Sequence, residues 1–224
     1  MHCCAFKKGS LIRPTYASFT DAPSICRSRS TEVTMEDCFL HLFAWLAPVL
    51  ERASAEELPI DQAERAVLDE FTSGWGKVDT AGLLKKLSQK YGEMAAQTIE
   101  KVLAHYIKRD WAETGTREAH PGTEIADFIR ILWEPLKNEG FSFKFETVDG
   151  ATIFAVTKCP VYELAISTGL TEWCYHLACA TDFYSTCAFS SKIGFNRTKT
   201  LMQGDECCNH TYLCKDAPQT TQRK

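Results

Sequence analysis

The stretch FSFKFETVDGATIFAVTKCP, residues 141–160, decides the fold class of this 224-residue chain. Its first half alternates aromatic and polar residues, and its second half is rich in β-branched and aromatic residues; both patterns are typical of β-strands. The dipeptide Asp149-Gly150 between the halves favours a tight turn between antiparallel strands. The stretch therefore predicts a β-hairpin that ends at Cys159, where Pro160 suits the first position of a helix.

Downstream of the hairpin, the pattern alternates between helices and strands in an order that defines one sheet. Residues 160–168 and 171–188 carry helical spacing, whereas residues 193–201 and 206–214 have the pattern of two more strands. Residues 140–215 are therefore predicted to form a four-stranded, mostly antiparallel sheet with helices packed on one face.

Upstream of the hairpin, residues 35–139 are predicted to be helical. The apolar helix over residues 35–53 is expected to kink at Pro48. Further helices are predicted over residues 59–71, from Asp79 or Thr80, over 91–111, and from Thr123 to Leu136, where Gly140 serves as the C-terminal cap. The fold class is α+β, and residues 35–215 are expected to form a single domain with a helical half and a sheet half.

The two ends of the chain lack the periodicity of a folded region. Residues 1–34 are rich in Ser and Arg, with five basic and two acidic groups, a net charge of +3. They are interpreted as a disordered tail, or as the product of an over-long gene model in which translation truly starts at Met35. A mitochondrial transit peptide is the alternative. Residues 216–224 are expected to be frayed. No apolar run reaches the roughly 20 residues that a membrane span needs, so a cytoplasmic location is expected unless the leader is a transit peptide.

Composition narrows the class of partner. The net charge of −4 argues against a nucleic-acid partner, because neutralising phosphates requires a basic face. Eleven cysteines in a chain of this length favour reduced thiols over a disulfide framework. The expected partner is a small-molecule substrate, with no nucleic acid and no membrane, and a homo-oligomer is compatible with the sequence.

Cys159 is the most informative thiol, because it joins an apolar strand to a helix that begins with Pro160. At the N-cap of a helix, unpaired backbone N–H groups and the helix dipole lower the pKa of a thiol and favour the nucleophilic thiolate. The alternative interpretation is a small buried apolar residue at the end of a strand.

Cys208 and His210 are two residues apart on a predicted strand, so their side chains share one face with Tyr212. A thiol beside an imidazole can act as nucleophile and base, or as part of a metal site. The spacing lacks the C-x2-C pattern of a zinc knuckle, so no metal and no cofactor is predicted. The alternative is a cysteine-rich core strand.

Asp182 and Arg197 are the charged candidates. Asp182 lies three residues after Cys179 in a helix otherwise rich in apolar and small residues, and is either exposed or a pocket group with a raised pKa. Arg197, near Thr200 on a predicted strand, suits a bidentate grip on a carboxylate. From the sequence alone, solvent exposure is the favoured interpretation for both charges.

Several of these residues lie in motifs that resemble the L-2-amino-thiazoline-4-carboxylate hydrolase family. The motifs are LWEPL at 132–136, FAVT at 154–157 leading into Cys159-Pro160, CATDF at 179–183, and FNRTKTL at 195–201 followed by Gly204-Asp205 and Cys208-Asn209-His210. The last of these is the most specific, because the family pattern there is an aromatic residue, Arg-Thr-x-Thr-Leu, a Gly, and a Cys four residues later.

The resemblance covers about residues 132–212 and implies hydrolytic opening of a 2-amino-thiazoline ring to an N-carbamoyl-cysteine type product, on a route to cysteine. Such chemistry needs a nucleophile at the amidine-like carbon, a proton for the leaving sulfur and a grip on the carboxylate. The resemblance implies that Cys159 or Cys208 is the nucleophile or activated thiol. It implies that Asp182 is the acid/base, with His210 in the same catalytic group. Arg197 and Thr200 would bind the substrate carboxylate.

Two other functions remain open on the sequence. A divergent member of the family would act on another small cyclic or carboxylated metabolite in specialised metabolism. The order of strands and helices with a late cysteine is also similar to vinyl-reductase-like small-molecule-binding domains, which bind ligands without turnover. Consumption of the ligand distinguishes an enzyme from such a binding module.

Overall fold

The computed structural model describes residues 34–215, and the predicted leader, apart from Thr34, and the predicted frayed tail lie outside them. The described residues have an α+β fold in which helices come first and a sheet follows, as predicted. The helices of the first half are α1 (Met35–Leu42), α2 (Leu46–Ala55), α3 (Gln62–Gly74), α4 (Thr80–Tyr91), α5 (Met94–Glu118) and α6 (Glu124–Leu136).

The first predicted helix is two helices, α1 and α2, separated at residues 43–45. Thr34 begins α1 with a capping box, because its hydroxyl accepts a hydrogen bond from the Asp37 amide while the Asp37 carboxylate accepts one from the Thr34 amide. The expected kink at Pro48 is wrong. Pro48 is the third residue of α2, where its missing N–H costs nothing, since amides of the first turn have no acceptor within the helix.

The boundaries of the next helices shift by a few residues from the prediction for local reasons. Asp61 and Glu64 form a second capping box, which starts α3 at Gln62 rather than at residue 59. Gly92, with φ of 63°, ends α4. The long helix α5 continues past the predicted end at residue 111 to Glu118.

The sheet is fully antiparallel and has the strand order β1-β2-β4-β3. Its strands are β1 (Ser142–Val148), β2 (Ala151–Lys158), β3 (Ile193–Asn196) and β4 (Cys208–Cys214). The predicted Asp149-Gly150 turn is confirmed: both residues have positive φ, 51° and 76°, as a type I′ turn requires.

Two elements of the sheet half differ from the prediction. The strand expected over 193–201 ends at Asn196, because the Asn209 side-chain carbonyl accepts hydrogen bonds from the amides of Thr198 and Lys199 at 2.9 and 2.6 Å. The chain leaves the sheet there and forms a 3₁₀ turn at Leu201–Gln203.

The helix expected over 171–188 is interrupted by a turn of π-helix. Between β2 and β3 lie α7 (Pro160–Thr168), α8 (Thr171–Cys174), the π-helical turn Tyr175–Cys179, and α9 (Thr181–Phe189). Helix α9 packs tightly on α5 at Gly115, where a Cβ atom would lie only 1.8 Å from the Phe189 carbonyl oxygen.

One face of the sheet carries the core, and aromatic rings dominate it. Phe154 of β2 stacks on Trp133 of α6 with ring centroids 4.3 Å apart, and the Trp133 indole donates a hydrogen bond to the buried Tyr212 hydroxyl at 3.0 Å. On the opposite face, Ala155 and Leu213 are exposed. Among the helices described between residues 34 and 215, none is long and apolar enough to cross a membrane.

Candidate functional site

A cavity of about 130 Å³ lies where the inner face of the sheet meets the α1–α2 junction, the end of α6 and the π-helical turn. Apolar side chains such as Phe43, Trp133 and Val156 form most of its wall. Its ionisable side chains are those of Glu139, Cys159, Cys179, Asp182, Arg197, Cys208 and His210. Five of the six residues singled out from the sequence therefore lie around one cavity, although they are up to 51 positions apart in the chain.

Cys159 occupies the predicted N-cap of α7, with extended backbone and Pro160 at the first helical position. The expected low pKa of its thiol is wrong. Burial raises the pKa of Cys159 to about 12, and the helix-terminal amides of Val161 and Tyr162, which act in the opposite direction, have the smaller effect. Desolvation at this position outweighs the helix N-terminus, so the resting group is a thiol.

The predicted shared face of β4 is confirmed, since Cys208, His210 and Tyr212 are all buried. The Cys208 sulfur accepts a hydrogen bond from the Leu201 amide at 3.3 Å. Burial raises the pKa of Cys208, whereas the Leu201 amide and the positive charge of Arg197 lower it. Cys208 thus has two groups that stabilise a developing thiolate.

Arg197 is buried, which corrects the preference for a solvated strand face. Its side chain is only 2% exposed, and its Nη1 atom donates hydrogen bonds to an Asp182 carboxylate oxygen at 2.5 Å and to the Cys179 carbonyl oxygen at 2.9 Å. The Cys179 carbonyl ends the π-helical turn, a place where the regular helical ladder changes. The guanidinium also lies 5.4 Å from the centre of the Phe183 ring.

Asp182 is partly buried, with 23% of its side chain exposed, so the preference for an exposed acid is corrected as well. It is the common partner of two basic groups, because the same oxygen that binds Arg197 lies 3.2 Å from Nε2 of His210. A carboxylate paired with a guanidinium accepts hydrogen bonds, and we therefore assign the proton of a neutral His210 to Nε2. That tautomer leaves the lone pair on Nδ1.

Two polar atoms around the cavity have no hydrogen-bond partner within residues 34–215. They are Nδ1 of His210 and Oε1 of Glu139, and both are shielded from solvent. Buried polar atoms are normally satisfied, so a pair of exceptions around the same cavity marks a place where a polar ligand can bind.

The sequence analysis missed Glu139. It lies at the end of the 3₁₀ turn Lys137–Glu139, in a local run of polar residues that is typical of an exposed helix end. Nothing in that pattern indicates that the side chain turns toward the sheet. In the folded chain, burial raises the pKa of the Glu139 carboxyl, which favours its protonated form.

Thr200 is the one sequence-predicted site residue that does not line the cavity. Its hydroxyl accepts a hydrogen bond from the Met202 amide at 3.0 Å, and its own amide donates to the Asp205 carboxylate at 2.8 Å. These contacts cap the 3₁₀ turn whose first amide, that of Leu201, binds Cys208. Thr200 therefore supports the turn that presents this amide.

Neither a disulfide nor a cluster of metal ligands is present among the described residues. All eight cysteines between residues 34 and 215 are free thiols. Within the same residues, no group of three or more His, Cys, Asp or Glu side chains is arranged to hold a metal ion.

Comparison with known protein families gives a match. A family model described as L-2-amino-thiazoline-4-carboxylic acid hydrolase matches residues 78–212, well over half of the chain. A search of curated proteins found no match to the chain. The matched segment begins in the helical half, earlier than the motifs from residue 132 onward. It contains all seven ionisable residues that line the cavity. The chain belongs to the L-2-amino-thiazoline-4-carboxylic acid hydrolase family.

Proposed function

We propose that this protein hydrolyses a small cyclic amidine such as 2-amino-thiazoline-4-carboxylate, and releases an N-carbamoyl-cysteine type product. The observation that carries the proposal is the convergence of three thiols, an imidazole, two carboxyl groups and a guanidinium on one cavity inside the family-matched segment. These are the groups that nucleophilic opening of such a ring requires.

The size of the cavity supports a small substrate. Its volume of about 130 Å³ is well below the roughly 300–1,000 Å³ of pockets that take drug-sized ligands. A five-membered ring with one carboxylate is of the appropriate scale. Among the described residues that line the cavity, Arg197 is the only Lys or Arg, and we assign it to the substrate carboxylate.

The reaction adds one water molecule to the substrate. The ring carbon C2, bonded to sulfur and two nitrogens, is attacked; its bond to the ring sulfur breaks, and that sulfur leaves as a thiol after taking a proton. The oxygen of water becomes the carbonyl oxygen of the product. The protein must therefore supply a nucleophile, a base for its proton, and an acid for the leaving sulfur.

We assign Cys208, rather than Cys159, as the nucleophile. The Leu201 amide and Arg197 favour its thiolate, whereas the burial of Cys159 holds the pKa of that thiol at about 12. In the proposed first step, Nδ1 of His210 takes the Cys208 proton while the sulfur attacks C2 and the ring C–S bond breaks. Water then attacks C2; one of its protons goes to the ionised Glu139 and the other to the amidine nitrogen. The bond from C2 to Cys208 breaks and His210 returns its proton to the sulfur, which gives the carbamoyl product and restores the thiol.

Asp182 and Glu139 take different roles because their surroundings differ. Asp182 is bound to Arg197 and His210, so it orients the imidazole and balances the positive charge that His210 acquires. Glu139, with a buried oxygen and a raised pKa, is the group that can donate a proton to the leaving sulfur. Side chains of one cavity therefore account for the nucleophile, the base and the acid that the reaction needs.

Glu139 gives a prediction about stability that is independent of substrate. Because burial raises its pKa in the folded state, the folded chain binds more protons than the unfolded chain from about pH 4 upward, and stability falls as pH rises through the raised pKa. Glu139→Gln should remove that fall. We expect the free energy of unfolding of the variant, measured by urea denaturation, to rise relative to that of the wild type as the pH increases above about 4.

The matched control for that measurement is Glu134→Gln, because Glu134 is an exposed glutamate only five residues before Glu139, in the last turn of α6. Its difference from the wild type should stay constant over the same pH range. Parallel stability curves for Glu139→Gln and the wild type would contradict a desolvated carboxyl at position 139.

The proposed function is tested by incubating the purified full chain with L-2-amino-thiazoline-4-carboxylate and following ring loss and product by mass spectrometry. We expect a product heavier than the substrate by one water, and incorporation of ¹⁸O from labelled water into its carbonyl. A folded chain that leaves the substrate intact would contradict the proposal. Alkylation alone is a poor test, because the exposed Cys187 and Cys214 react as well.

A second candidate function is a ligand-binding module without turnover. The observation in its favour is that burial raises the pKa of all three thiols that line the cavity, Cys159, Cys179 and Cys208. A thiol that burial keeps protonated can equally be a packing residue in the wall of a binding cavity. Thermal stabilisation by the compound without its consumption would support binding alone.

The same assay with different small cyclic carboxylates would identify a divergent family member.

A further inference from the structure

The outer edge of β1 is the largest unpartnered strand surface in the sheet. The strand is first in the order β1-β2-β4-β3, so only one of its edges is hydrogen-bonded within residues 34–215. Six of its seven residues are exposed, and Phe145 keeps 51% of its surface accessible. A free edge of this length can pair with another strand.

The turn at Asp149-Gly150 determines which backbone groups face that edge. A two-residue turn is closed by a hydrogen bond between its flanking residues, so Val148 and Ala151 form a hydrogen-bonded pair. Because N–H and C=O groups alternate in direction along a strand, those of Phe143, Phe145 and Thr147 point to the open edge. The backbone groups that face the open edge are therefore arranged symmetrically about Phe145.

The charges of β1 are arranged symmetrically about the same residue. Lys144 precedes Phe145, Glu146 follows it, and both side chains are exposed without an ion-pair partner within the described part of the chain. If two copies pair antiparallel with Phe145 opposite Phe145, each Lys144 lies opposite a Glu146. These are non-hydrogen-bonded positions, where facing side chains are closest.

An aromatic ladder runs toward the edge on the other face of the strand. The Trp133 ring stacks on Phe154 at 4.3 Å, and Phe154 stacks on Phe145 at 4.9 Å with an angle of 21° between the rings. Phe145 is the last ring of this row and is left half-covered. A second Phe145 across a two-fold axis would extend the row and cover the exposed ring.

We propose that two copies of this chain pair through β1, antiparallel about a two-fold axis at Phe145, to form a continuous eight-stranded sheet. Charged side chains on an edge strand usually discourage association with a second copy. In this register, by contrast, each Lys144 faces a Glu146 of the other copy, so the charges attract. The backbone groups of Phe143, Phe145 and Thr147, which point to the open edge, are the ones that pair across the axis. Such an interface is isologous and closes at the dimer.

The test is sedimentation velocity on the full chain over a range of concentrations, with charge variants at the proposed axis. Lys144→Glu places Glu opposite Glu twice, and should weaken dimerisation by about tenfold or more, since two attractive pairs become repulsive. Combining Lys144→Glu with Glu146→Lys restores opposite charges across the axis, and should restore the dimer. Lys85→Glu, the same charge change on the exposed surface of α4, is the control.

Rescue by the double variant supports the proposed register, because a general effect of charge on solubility would not be reversed by a second substitution. The proposal is overturned by a wild-type chain that stays monomeric at all concentrations, or by a dimer that Lys144→Glu leaves intact. A dimer that Lys144→Glu dissociates and the double variant fails to restore would exclude pairing about Phe145. Circular dichroism verifies that each variant is folded.

Discussion

Cys208→Ser is expected to reduce ring opening of 2-amino-thiazoline-4-carboxylate by about a thousandfold or more, the scale of loss when a nucleophile that acts with its base is removed. A serine hydroxyl accepts the hydrogen bond from Leu201 but has a much higher pKa than a thiol and is a weaker nucleophile. The measurement is kcat/KM for product formation, followed by mass spectrometry.

The matched controls are two other cysteine-to-serine variants. Cys187 of α9 is exposed and lies outside the lining of the cavity, so Cys187→Ser should retain the activity of the wild type. Cys159 lines the cavity, but burial holds the pKa of its thiol at about 12, so Cys159→Ser should lose much less than Cys208→Ser. A larger loss at Cys159 than at Cys208 would reverse the assignment of the nucleophile.

Ligand binding separates a lost nucleophile from a lost pocket. Cys208→Ser should still gain thermal stability from the substrate, because Arg197 and the cavity wall are unchanged. A covalent adduct at Cys208, trapped by acid quenching and detected as an isothiourea by peptide mass spectrometry, would identify the proposed intermediate directly. Wild-type turnover in Cys208→Ser would mean that Cys208 is not the nucleophile.

Asp182→Asn should lower the free energy of unfolding by about 3 kcal/mol. This value is at the lower end of the range for breaking a buried ion pair, because part of the Asp182 side chain is exposed. The substitution preserves the shape of the side chain but removes the charge that faces Arg197, whose side chain is 2% exposed. The buried guanidinium would then lack its counter-ion, and His210 would lose the same partner. Urea denaturation gives the free energy of unfolding of the variant and the wild type.

The control for this loss is an ion pair at the surface. Lys199 and Glu206 are 2.5 Å apart, but both side chains are largely exposed, so Glu206→Gln should cost less than about 1 kcal/mol. Equal effects of Asp182→Asn and Glu206→Gln would show that the buried pair contributes no more than a surface pair. Activity does not enter this measurement, so it tests the architecture of the cavity independently of the proposed reaction.

Local patterns in the sequence determined the elements of the fold. The alternation in residues 141–157 and the Asp149-Gly150 turn predicted the first hairpin, and the β4 pattern placed Cys208, His210 and Tyr212 on one buried face. These predictions succeeded because the period of a strand and the conformation of a tight turn are set by neighbouring residues. The position of Cys159 before α7 followed in the same way from Pro160.

Tertiary structure alone decided the electrostatic state of the site. A solvated face was the favoured interpretation for Arg197, yet the π-helical turn and the early end of β3 bring its guanidinium onto Asp182, 15 positions away in the chain. The pKa of Cys159 rises rather than falls, because the desolvation of a thiol depends on what packs around it. Glu139 carries no local signal, since its burial comes from the folding of distant elements around a polar turn. Local patterns in the sequence therefore specified most of the elements and the buried face of β4, whereas burial and charge pairing arose only when those elements packed together.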